Sequence, residues 1–454
     1  MCGIFGTHNL NIDITPFLKK LEHRGPDNLG IKTIGNTTHG HVRLSVIDTS
    51  PRSNQPYVYL NSVLSFNGEI WNYKELKNQL INEGYNFKTT SDTEVLIKAL
   101  DKWGIESLNK IDGMFCFVYT NIEKNINILA RDPYGKIPIY ISKRDDAYIW
   151  SSERKTINQP WAILPPGTYF DFNEEKIVQY YNFPIAPPHP PKKLHELLRK
   201  AVKKRMVSDV PLCCLISGGL DSSYILKLAQ EQQPDITAYT AYVDENNKDL
   251  FYARKLCQKL NIQLTEIRVE SPTINDIKES INCIELSSKA QIEIALLALP
   301  LAKKISEDGF KVVLSGEGAD ELFGGYGSMC IPGSKANDEE WRNIRLKHLD
   351  KMSRGNFVRC NKIFMKYHIE CRLPFMDRGI VESVLNYTKS QCPPNKKLLK
   401  ETANEYLPKK IINRPKLTFQ GGSGMSEAAG SLITNPTKYY NQECKNQFKE
   451  LCKG

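Results

Sequence analysis

Hydrophobic and polar positions follow one pattern before residue 183 and another after it. Before it, short apolar stretches alternate with polar and turn-forming residues, which predicts a series of short strands. Two segments with a 3.6-residue period predict helices. This half is therefore expected to be an α+β fold of layered sheets. The predicted strands are Val63–Phe66, Ile126–Ala130, Ile137–Ile141, Tyr148–Ser151, Thr168–Phe172 and Ile177–Asn182, and the predicted helices are Lys74–Glu83 and Thr93–Trp103.

After residue 191, apolar runs alternate with amphipathic segments. The continuous apolar run Val210–Ile216 is typical of a strand buried on both faces. Strand–helix alternation predicts a doubly wound parallel sheet, whose ligands bind beyond the carboxyl ends of the strands. A mostly helical tail is expected from Asp338. The predicted strands are Val210–Ile216, Ile236–Val243, Leu264–Val269 and Lys311–Ser315; the predicted helices are Leu220–Gln230, Leu250–Leu260 and two stretches that end at Ser306.

The change of pattern coincides with a proline-rich segment, residues 183–191, in which five of nine residues are proline. Proline favours extended backbone, so this segment is interpreted as a linker. A chain of 454 residues also exceeds one typical core. We therefore expect one domain over residues 1–182 and a second over residues 192–454.

Composition narrows the class of protein. With 41% hydrophobic and 25% charged residues, the chain is neither disordered nor fibrous. No apolar run approaches the ~18 residues of a membrane span, and no leader pattern is seen. The net charge of +10 is dispersed, which favours a solvated surface over a nucleic-acid groove. Twelve irregularly spaced cysteines indicate a reducing compartment, and we expect a cytoplasmic protein without membrane or nucleic-acid partners.

Cys2 is the first candidate for chemistry. Removal of Met1 would place its thiol beside a free α-amino group, which titrates near pH 8 and could act as the general base of the thiol. Such an arrangement is an N-terminal nucleophile. The other interpretation, a position that merely tolerates a small residue, stays open for Cys2 taken alone.

A second candidate lies where the first strand after the linker meets its helix, at Ser217-Gly-Gly-Leu-Asp-Ser-Ser223. Two glycines allow the backbone to approach an anion, and the N–H groups of a helix start attract phosphate. Asp221 could hold Mg²⁺ through oxygen ligands. The segment lacks the Gly-Lys-Ser/Thr ending of a Walker loop. It predicts a phosphate site of another kind.

A similar loop, Ser315-Gly-Glu-Gly-Ala-Asp-Glu321, follows the strand at Lys311–Ser315. Three carboxylates crowd this strand end, which is unfavourable without a cation. Bound Mg²⁺ and nucleotide would resolve the conflict. Asp320 is the better metal ligand, and Glu317 could be a base or an organising group.

Eight short motifs occur in a fixed order along the chain: Cys2-Gly-Ile-Phe-Gly6, His23-Arg-Gly-Pro-Asp27, Arg43-Leu-Ser-Val-Ile-Asp48, Phe66-Asn-Gly-Glu-Ile-Trp-Asn72, Ser91-Asp92, Arg131-Asp-Pro-Tyr-Gly135, Ser217–Ser223 and Ser315–Tyr326. Taken together, they resemble the motifs of glutamine-hydrolysing asparagine synthetases, and the likeness runs from Met1 to about Gly424.

The resemblance implies a class II glutaminase in the first domain. Cys2 would attack the glutamine amide, and Asn67 with the Gly68 N–H would form the oxyanion hole. Arg43 would clamp the α-carboxylate, a bidentate task that suits guanidinium. Glutamine would further contact the segment of Leu44, Ser45, Val46 and Ile47, and its α-ammonium would be taken by Glu69 and Asp92.

For the second domain the resemblance implies an ATP-pyrophosphatase-type synthetase. ATP would activate a carboxylate as an acyl-adenylate, and ammonia would displace AMP. Lys416 is similar to the family lysine that stabilises charge in both half-reactions. ATP-binding positions are expected at Leu215, Ser217, Gly218, Gly219, Asp221, Ser222, Tyr242, Ser315 and Gly316, with Mg²⁺ at Asp221 and Asp320.

One position departs from the family pattern. Glu293 falls where the family carries an arginine of the aspartate pocket, and a carboxylate there would repel the aspartate α-carboxylate. Either Lys289 substitutes, the alignment shifts, or the acceptor is another carboxylate. The substrates are thus expected to be glutamine, ATP and aspartate or another carboxylate, and a homodimer is an open hypothesis.

Overall fold

The computed structural model describes residues 1–157, 160–415, 419–433 and 435–448, with the backbone alone at 419 and 420. The chain forms two compact units. The first is Met1–Asn182 with two short later segments that begin at Phe364 and Cys444, and the second comprises Phe183–Ile363 and Ile369–Glu443.

The first unit contains two antiparallel six-stranded sheets, ordered β10-β8-β9-β1-β3-β2 and β12-β11-β7-β6-β5-β4. The strands are β1 Gly3–His8, β2 Asn28–Ile34, β3 Thr37–Arg43, β4 Tyr57–Tyr59, β5 Ser62–Ile70, β6 Gly113–Asn121, β7 Ile126–Arg131, β8 Tyr140–Arg144, β9 Ala147–Ser151, β10 Ala162–Ile163, β11 Thr168–Asp171 and β12 Lys176–Gln179.

Helices cover the outer faces of this unit, so the predicted layered α+β fold is confirmed. Helix α1 packs on β1 and β3, while α3 packs on β5, and β3 faces β5 across the middle. Phe5, Leu18 and Val42 form one buried cluster beneath α1. The helices are α1 Thr15–Lys20, α2 Tyr73–Asn82, α3 Asp92–Trp103 and α4 Ser107–Lys110.

The predicted strand Ile137–Ile141 begins only at Tyr140. The buried Arg131 guanidinium explains the delay, because it binds the carbonyls of Gly135 and Ile137 at 2.7 Å each and folds this segment around itself. The pattern also missed β1, β2, β3 and β6, together with the short strands β4 and β10. Glycine, histidine and threonine weaken the apolar signal in the first three, whereas β6 is buried at every position and shows no alternation.

The second unit is built on a parallel five-stranded sheet ordered β15-β14-β13-β16-β17. Its strands are β13 Leu212–Leu215, β14 Thr237–Tyr242, β15 Leu264–Arg268, β16 Val312–Leu314 and β17 Glu370–Arg372. Its helices are α5 Leu194–Arg205, α6 Leu220–Gln232, α7 Lys248–Leu260, α8 Ile274–Ile284, α9 Lys289–Glu307, α10 Ala319–Phe323, α11 Gly327–Lys335, α12 Asp338–Met352, α13 Asn356–Met365, α14 Arg378–Asn386, α15 Lys397–Ala403, α16 Lys409–Ile412, α17 Phe419–Gly422, α18 Met425–Gly430 and α19 Pro436–Phe448.

The strand order confirms the predicted doubly wound sheet and locates its crevice. From β13 the chain winds towards β14 and β15 on one side, and β16 and β17 lie on the other. The direction changes between β13 and β16, so the loops after these two strands open the crevice where such sheets bind ligands.

The short strand β17 was not predicted, and it ties the helical tail to the sheet. The buried Arg372 of β17 donates hydrogen bonds to Glu370 Oε1 at 2.6 Å and to the carbonyl of Arg205 at 2.8 Å. Asp377 accepts a hydrogen bond from Arg205 Nη1 at 2.9 Å and another from the N–H of Gly379 at the start of α14. Within the described ranges every helix is too short or too polar to cross a membrane.

Candidate active sites

Cys2 lies directly before β1, buried beside β5 of the other sheet. Its backbone nitrogen donates to Asn67 Oδ1 at 2.8 Å, and its Sγ lies 3.8 Å from the carbonyl oxygen of Leu44. The backbone of Cys2 thus contacts the middle of β5, and its sulfur lies beside the residue that follows β3. The structure brings the predicted nucleophile and the predicted oxyanion amide into direct contact.

Asn67 and Gly68 lie within the strand β5 and not in a turn. Gly68 pairs with Phe115 of β6 and has φ +149°. A Cβ at Gly68 would lie 2.0 Å from the carbonyl oxygen of Met114, so any side chain would force the strands apart. Glycine is therefore required by the close approach of β6.

A buried ion pair behind Cys2 was not assigned a role from the sequence. Arg24 donates to the Cys2 carbonyl through Nε at 3.0 Å and to Glu153 Oε1 through Nη1 at 3.0 Å. Burial opposes ionisation of Glu153, but Lys155, His23 and Arg24 together hold its pKa well below the usual value. Arg24 stood in a recognised motif, whereas Glu153 follows β9 in a segment that carries no motif.

Arg43 ends β3 and is held in place by the loop that follows. Its Nη1 donates to the Ser50 carbonyl and to Asn54 Oδ1, each at 2.8 Å, and its Nη2 donates to the Asp48 carbonyl. Burial lowers the Arg43 pKa, while Cys2 and the nearby carboxylates raise it. The loop between Arg43 and Asp48 is buried. It consists of the predicted glutamine-binding residues Leu44, Ser45, Val46 and Ile47.

Glu69 lies near the end of β5, and Asp92 at the start of α3 contacts the next residue of that strand. Asp92 Oδ2 accepts the N–H of Ile70 at 3.0 Å, and both carboxylates are buried. Asp92 is also close enough to Arg43 for its charge to raise the Arg43 pKa, against the larger effect of burial. The predicted residues of the first unit therefore converge around Cys2.

In the second unit the loop Ser217–Ser223 joins β13 to α6, as predicted. Gly218 has φ +63°, and a Cβ there would lie 2.6 Å from Tyr252 Cβ. Ser222 Oγ accepts the Ser217 N–H at 3.1 Å, which closes the turn from inside. Arg414 donates to the Ser217 carbonyl at 3.2 Å and pairs with Asp249 of α7.

The second glycine-rich loop touches the first. A Cβ at Gly316 would lie 2.8 Å from the Ser222 nitrogen, so glycine lets the loops after β13 and β16 pack together. Ser315 N–H donates to the Arg372 carbonyl at 3.0 Å. Leu215 and Tyr242 end the adjacent strands β13 and β14. The structure thus brings the residues predicted to bind the nucleotide together at one sheet edge.

Lys396 neutralises two of the carboxylates at this edge. Its Nζ lies 2.5 Å from Asp221 Oδ2 and 2.5 Å from Asp320 Oδ1. A Cβ at Gly325 would lie 1.9 Å from Asp320 Oδ1, so this glycine leaves room for the pair. The ion pairs hold the Lys396 pKa above its usual value, although burial opposes this. No motif marked this lysine in the sequence.

Glu317 and Glu321 are balanced in other ways. Arg359 Nη2 lies 2.8 Å from Glu317 Oε1, while Glu317 Oε2 is buried without a hydrogen bond to any described residue. Burial, with Glu317 and Asp320 nearby, raises the Glu321 pKa to about 8. Neutral Glu321 therefore removes one charge from a cluster that the sequence suggested needed a cation.

Glu293 of α9 is buried and accepts the Ser426 hydroxyl at 2.7 Å, with Lys289 Nζ 3.6 Å from its other oxygen. Two residues earlier, Gln291 Oε1 accepts from Arg359 Nη1 at 2.6 Å, so Gln291 faces the Glu317 cluster. Lys416 lies outside the described residues.

Both parts of the chain match known protein families. Residues 1–207 match the glutamine amidotransferase domain family, and residues 193–332 and 331–448 match the asparagine synthase family. The asparagine synthetase [glutamine-hydrolyzing] of Asparagus officinalis is 30% identical over 94% of this chain and 78% of its own length. The probable asparagine synthetase [glutamine-hydrolyzing] of Schizosaccharomyces pombe is 30% identical over 94% of this chain and 85% of its own. A solved glutamine phosphoribosylpyrophosphate amidotransferase from B. subtilis, 22% identical over 54% of this chain and 67% of its own with TM-score 0.35, adds no argument.

Proposed function

Because the chain belongs to the asparagine synthase family, we propose that it forms asparagine from aspartate, with ATP as the activating substrate and glutamine as the nitrogen donor. The products are asparagine, glutamate, AMP and pyrophosphate. The observation that carries the proposal is the convergence of the two glycine-rich loops on Lys396 in a chain that also presents Cys2 to Asn67. The glutaminase domain would span residues 1–182 and the synthetase domain residues 192–454, in a cytoplasmic protein.

In the glutaminase half, the backbone nitrogen of Cys2 donates a hydrogen bond to Asn67 Oδ1. Removal of Met1 would turn this nitrogen into the free α-amine of Cys2. That amine takes the thiol proton, and the sulfur attacks the glutamine amide carbon. Asn67 Nδ2 and the Gly68 N–H stabilise the oxyanion, each worth about 3 kcal/mol. Ammonia leaves, and water releases glutamate from the thioester.

Substrate binding in this half rests on three buried charges. Arg43, fixed by the loop carbonyls, would hold the glutamine α-carboxylate. Glu69 and Asp92 would hold the α-ammonium. Their burial excludes water, so each charge pair with the substrate is stronger than it would be at the surface.

In the synthetase half, the two loops would bind the phosphates of ATP, and Leu215 and Tyr242 would border the adenine. The aspartate side-chain carboxylate attacks the α-phosphate, and pyrophosphate leaves. Glu317 Oε2, buried and without a hydrogen bond to any described residue, would take a proton from ammonia as it attacks the adenylate. Arg359 Nη2 holds the other oxygen of Glu317 in place, and Lys416 would balance the developing charge.

Mg²⁺ is part of the proposal. Two carboxylates, Asp221 and Asp320, converge on one point, and carboxylate oxygens are the ligands that Mg²⁺ prefers. Mg²⁺ held by these two carboxylates would supply positive charge to the triphosphate, in a complex in which the Lys396 ammonium no longer fills the point between them. Until then, Lys396 supplies positive charge at the same point and keeps the two loops together.

One observation favours a second candidate, the amidation of another carboxylate by the same chemistry. Glu293 stands where the resemblance places an arginine of the aspartate pocket. The deciding experiment measures asparagine, AMP and pyrophosphate from glutamine, ATP and Mg²⁺, with and without aspartate. We expect equimolar asparagine and pyrophosphate that depend on aspartate. Glutaminase activity without aspartate-dependent pyrophosphate would reject asparagine synthesis, and a screen of other carboxylic acids would then test the second candidate.

A further inference from the structure

Gln291 of α9 contacts the arginine that pairs with Glu317. Its Oε1 accepts a hydrogen bond from Arg359 Nη1 at 2.6 Å, and Arg359 Nη2 lies 2.8 Å from Glu317 Oε1. Glu293, two residues further along α9, accepts from Ser426 instead. Residues two apart on a helix do not face the same neighbour. Gln291 is therefore the residue of this helix turn that reaches the Glu317 cluster.

A chain of hydrogen bonds continues from Gln291 to Glu321. Gln291 Nε2 donates to Asn356 Oδ1 at 2.9 Å, and Asn356 Nδ2 donates to Glu321 Oε1 at 3.1 Å. Tyr326 donates its hydroxyl to the same carboxyl oxygen at 2.8 Å. Side chains of α9, α10 and α13 are thereby joined beside the loop that follows β16.

The two ends of this chain determine how both amides point. A guanidinium group can only donate, so the atom of Gln291 that faces Arg359 must be its oxygen. The Gln291 nitrogen then faces Asn356 and requires an oxygen there, which turns the Asn356 nitrogen towards the Glu321 carboxyl oxygen. Each amide therefore has one permitted orientation, and Gln291 presents a fixed acceptor to Arg359.

Arg359 needs this acceptor because it is buried. Only 3% of its surface is exposed, and its Nη2 also lies 3.3 Å from Cys360 Sγ. A buried N–H without an acceptor is strongly unfavourable, so a guanidinium group that lost Gln291 would turn towards another partner. Its second nitrogen would then leave Glu317 Oε1. Glu317 Oε2, which has no hydrogen bond to any described residue, would change position with the carboxylate.

We propose that Gln291 is a positioning residue of amide formation: by holding Arg359, it keeps Glu317 Oε2 directed at the nitrogen that attacks the acyl-adenylate. This inference rests on the proposed function, which assigns the proton transfer to Glu317. Formation of the adenylate needs no such transfer, because the acceptor carboxylate attacks the α-phosphate as an anion. Loss of the Gln291 amide should therefore slow the second half-reaction and leave the first unchanged.

The test is a single-turnover experiment on the full-length protein, with enzyme in excess over ATP and with saturating aspartate, Mg²⁺ and ammonia. ATP and aspartate are radiolabelled, so that pyrophosphate formation reports the first half-reaction and asparagine formation the second. Gln291→Met keeps the approximate volume of the side chain and removes both hydrogen bonds. We expect pyrophosphate formation within about twofold of the parent and asparagine formation about tenfold slower or more, since a general base typically contributes about 10²- to 10⁴-fold.

Three further variants separate positioning from damage to the fold. Gln291→Glu restores an oxygen acceptor for Arg359 and should return asparagine formation to within about threefold of the parent. Asn356→Ala frees the Gln291 amide from its other side and should give a smaller loss, confined to asparagine formation. This variant also decides the question if Gln291→Met folds poorly. Gln258→Met changes an exposed glutamine of α7 and should match the parent in both steps.

Three results would each overturn the proposal: equal losses of pyrophosphate and asparagine formation, unchanged asparagine formation in Gln291→Met, or no recovery in Gln291→Glu. A parent protein that forms no pyrophosphate with aspartate contradicts the proposed function instead. The same two rates, measured with the carboxylate that the protein does activate, then decide the role of Gln291.

Discussion

The surroundings of Cys2 and those of Lys396 show two ways of building a polar site. Around Cys2, the contacts follow from strand positions: the nitrogen of a residue next to β1 reaches an amide in β5, and loop carbonyls hold Arg43. Around Lys396, four carboxylates of two loops gather at a sheet edge. They are held by one lysine, one arginine and a proton on Glu321.

Because they are built differently, the two sites are expected to respond differently to pH, ions and nucleotide. Backbone register fixes the first site, so its geometry should change little with pH or ions. Charge balance fixes the second site, so a metal ion, a nucleotide or a change of pH alters the forces that hold it. Substitutions that leave one site intact while changing the other therefore test whether the two are independent.

The largest effect is expected from Cys2→Ala. Without the sulfur nucleophile, glutamine-dependent synthesis should fall by about 10³-fold or more, because neighbouring groups alone give little catalysis. Synthesis from ammonia should stay within twofold, since the second site keeps all its charges. Both rates are measured as pyrophosphate release from ATP and aspartate. An equal loss of both rates would contradict two independent sites.

Next in size is Lys396→Met. Two partly buried carboxylates lose the lysine that pairs with both of them, which should cost about 3 kcal/mol in the free energy of unfolding and about 10²-fold in synthesis rate. Glutaminase activity should be unchanged. Chemical unfolding and the two activity assays provide the measurements.

The matched control is Lys397→Met, an exposed neighbour that should behave like the parent. Mg²⁺ sharpens the test: it should raise the melting temperature of Lys396→Met more than that of the parent, because the cation replaces the lost charge between Asp221 and Asp320. No difference between the two proteins in their response to Mg²⁺ would argue against a metal at these carboxylates.

The sequence predicted those parts of the sites that local patterns determine. Glycine and serine at the end of an apolar run predicted a phosphate loop, and the parallel sheet brings both such loops to one edge because strand ends align. Cys2 and the Asn67–Gly68 pair were likewise predicted, although Gly68 lies in a strand and is required by the backbone of Met114 rather than by a turn.

The groups that balance charge were not predicted. Lys396 lies 175 positions from its partner Asp221, in a lysine-rich stretch that resembles any solvated surface. Arg359 and Glu153 are ordinary residues until a helix or strand brings them to Glu317 and Arg24. Excess carboxylates at one strand end signalled that positive charge was needed, but only the folded chain determines which residue supplies it.

A smaller effect is expected from the pH dependence of stability. The Glu321 pKa is raised from 4.5 to about 8 in the folded state, so between these values the native protein holds a proton that the unfolded chain has lost. Its contribution therefore lowers the free energy of unfolding as pH rises from about 4.5 to 8, and is constant outside that window. Glu321→Gln should flatten this slope. Urea unfolding of both proteins at several pH values measures it, and parallel slopes would contradict the raised pKa.

The smallest effect is expected at the residue that departs from the family pattern. If Glu293 faced the acceptor, Glu293→Gln would remove a repulsive charge and lower the KM for aspartate by tenfold or more. The carboxylate instead accepts from Ser426 of α18, and Gln291, two residues away on the same helix, is the one that meets Arg359. We therefore expect a KM change below twofold for Glu293→Gln, and a larger one for Gln291→Ala. The reverse order would place Glu293 in the acceptor pocket and favour an acceptor other than aspartate.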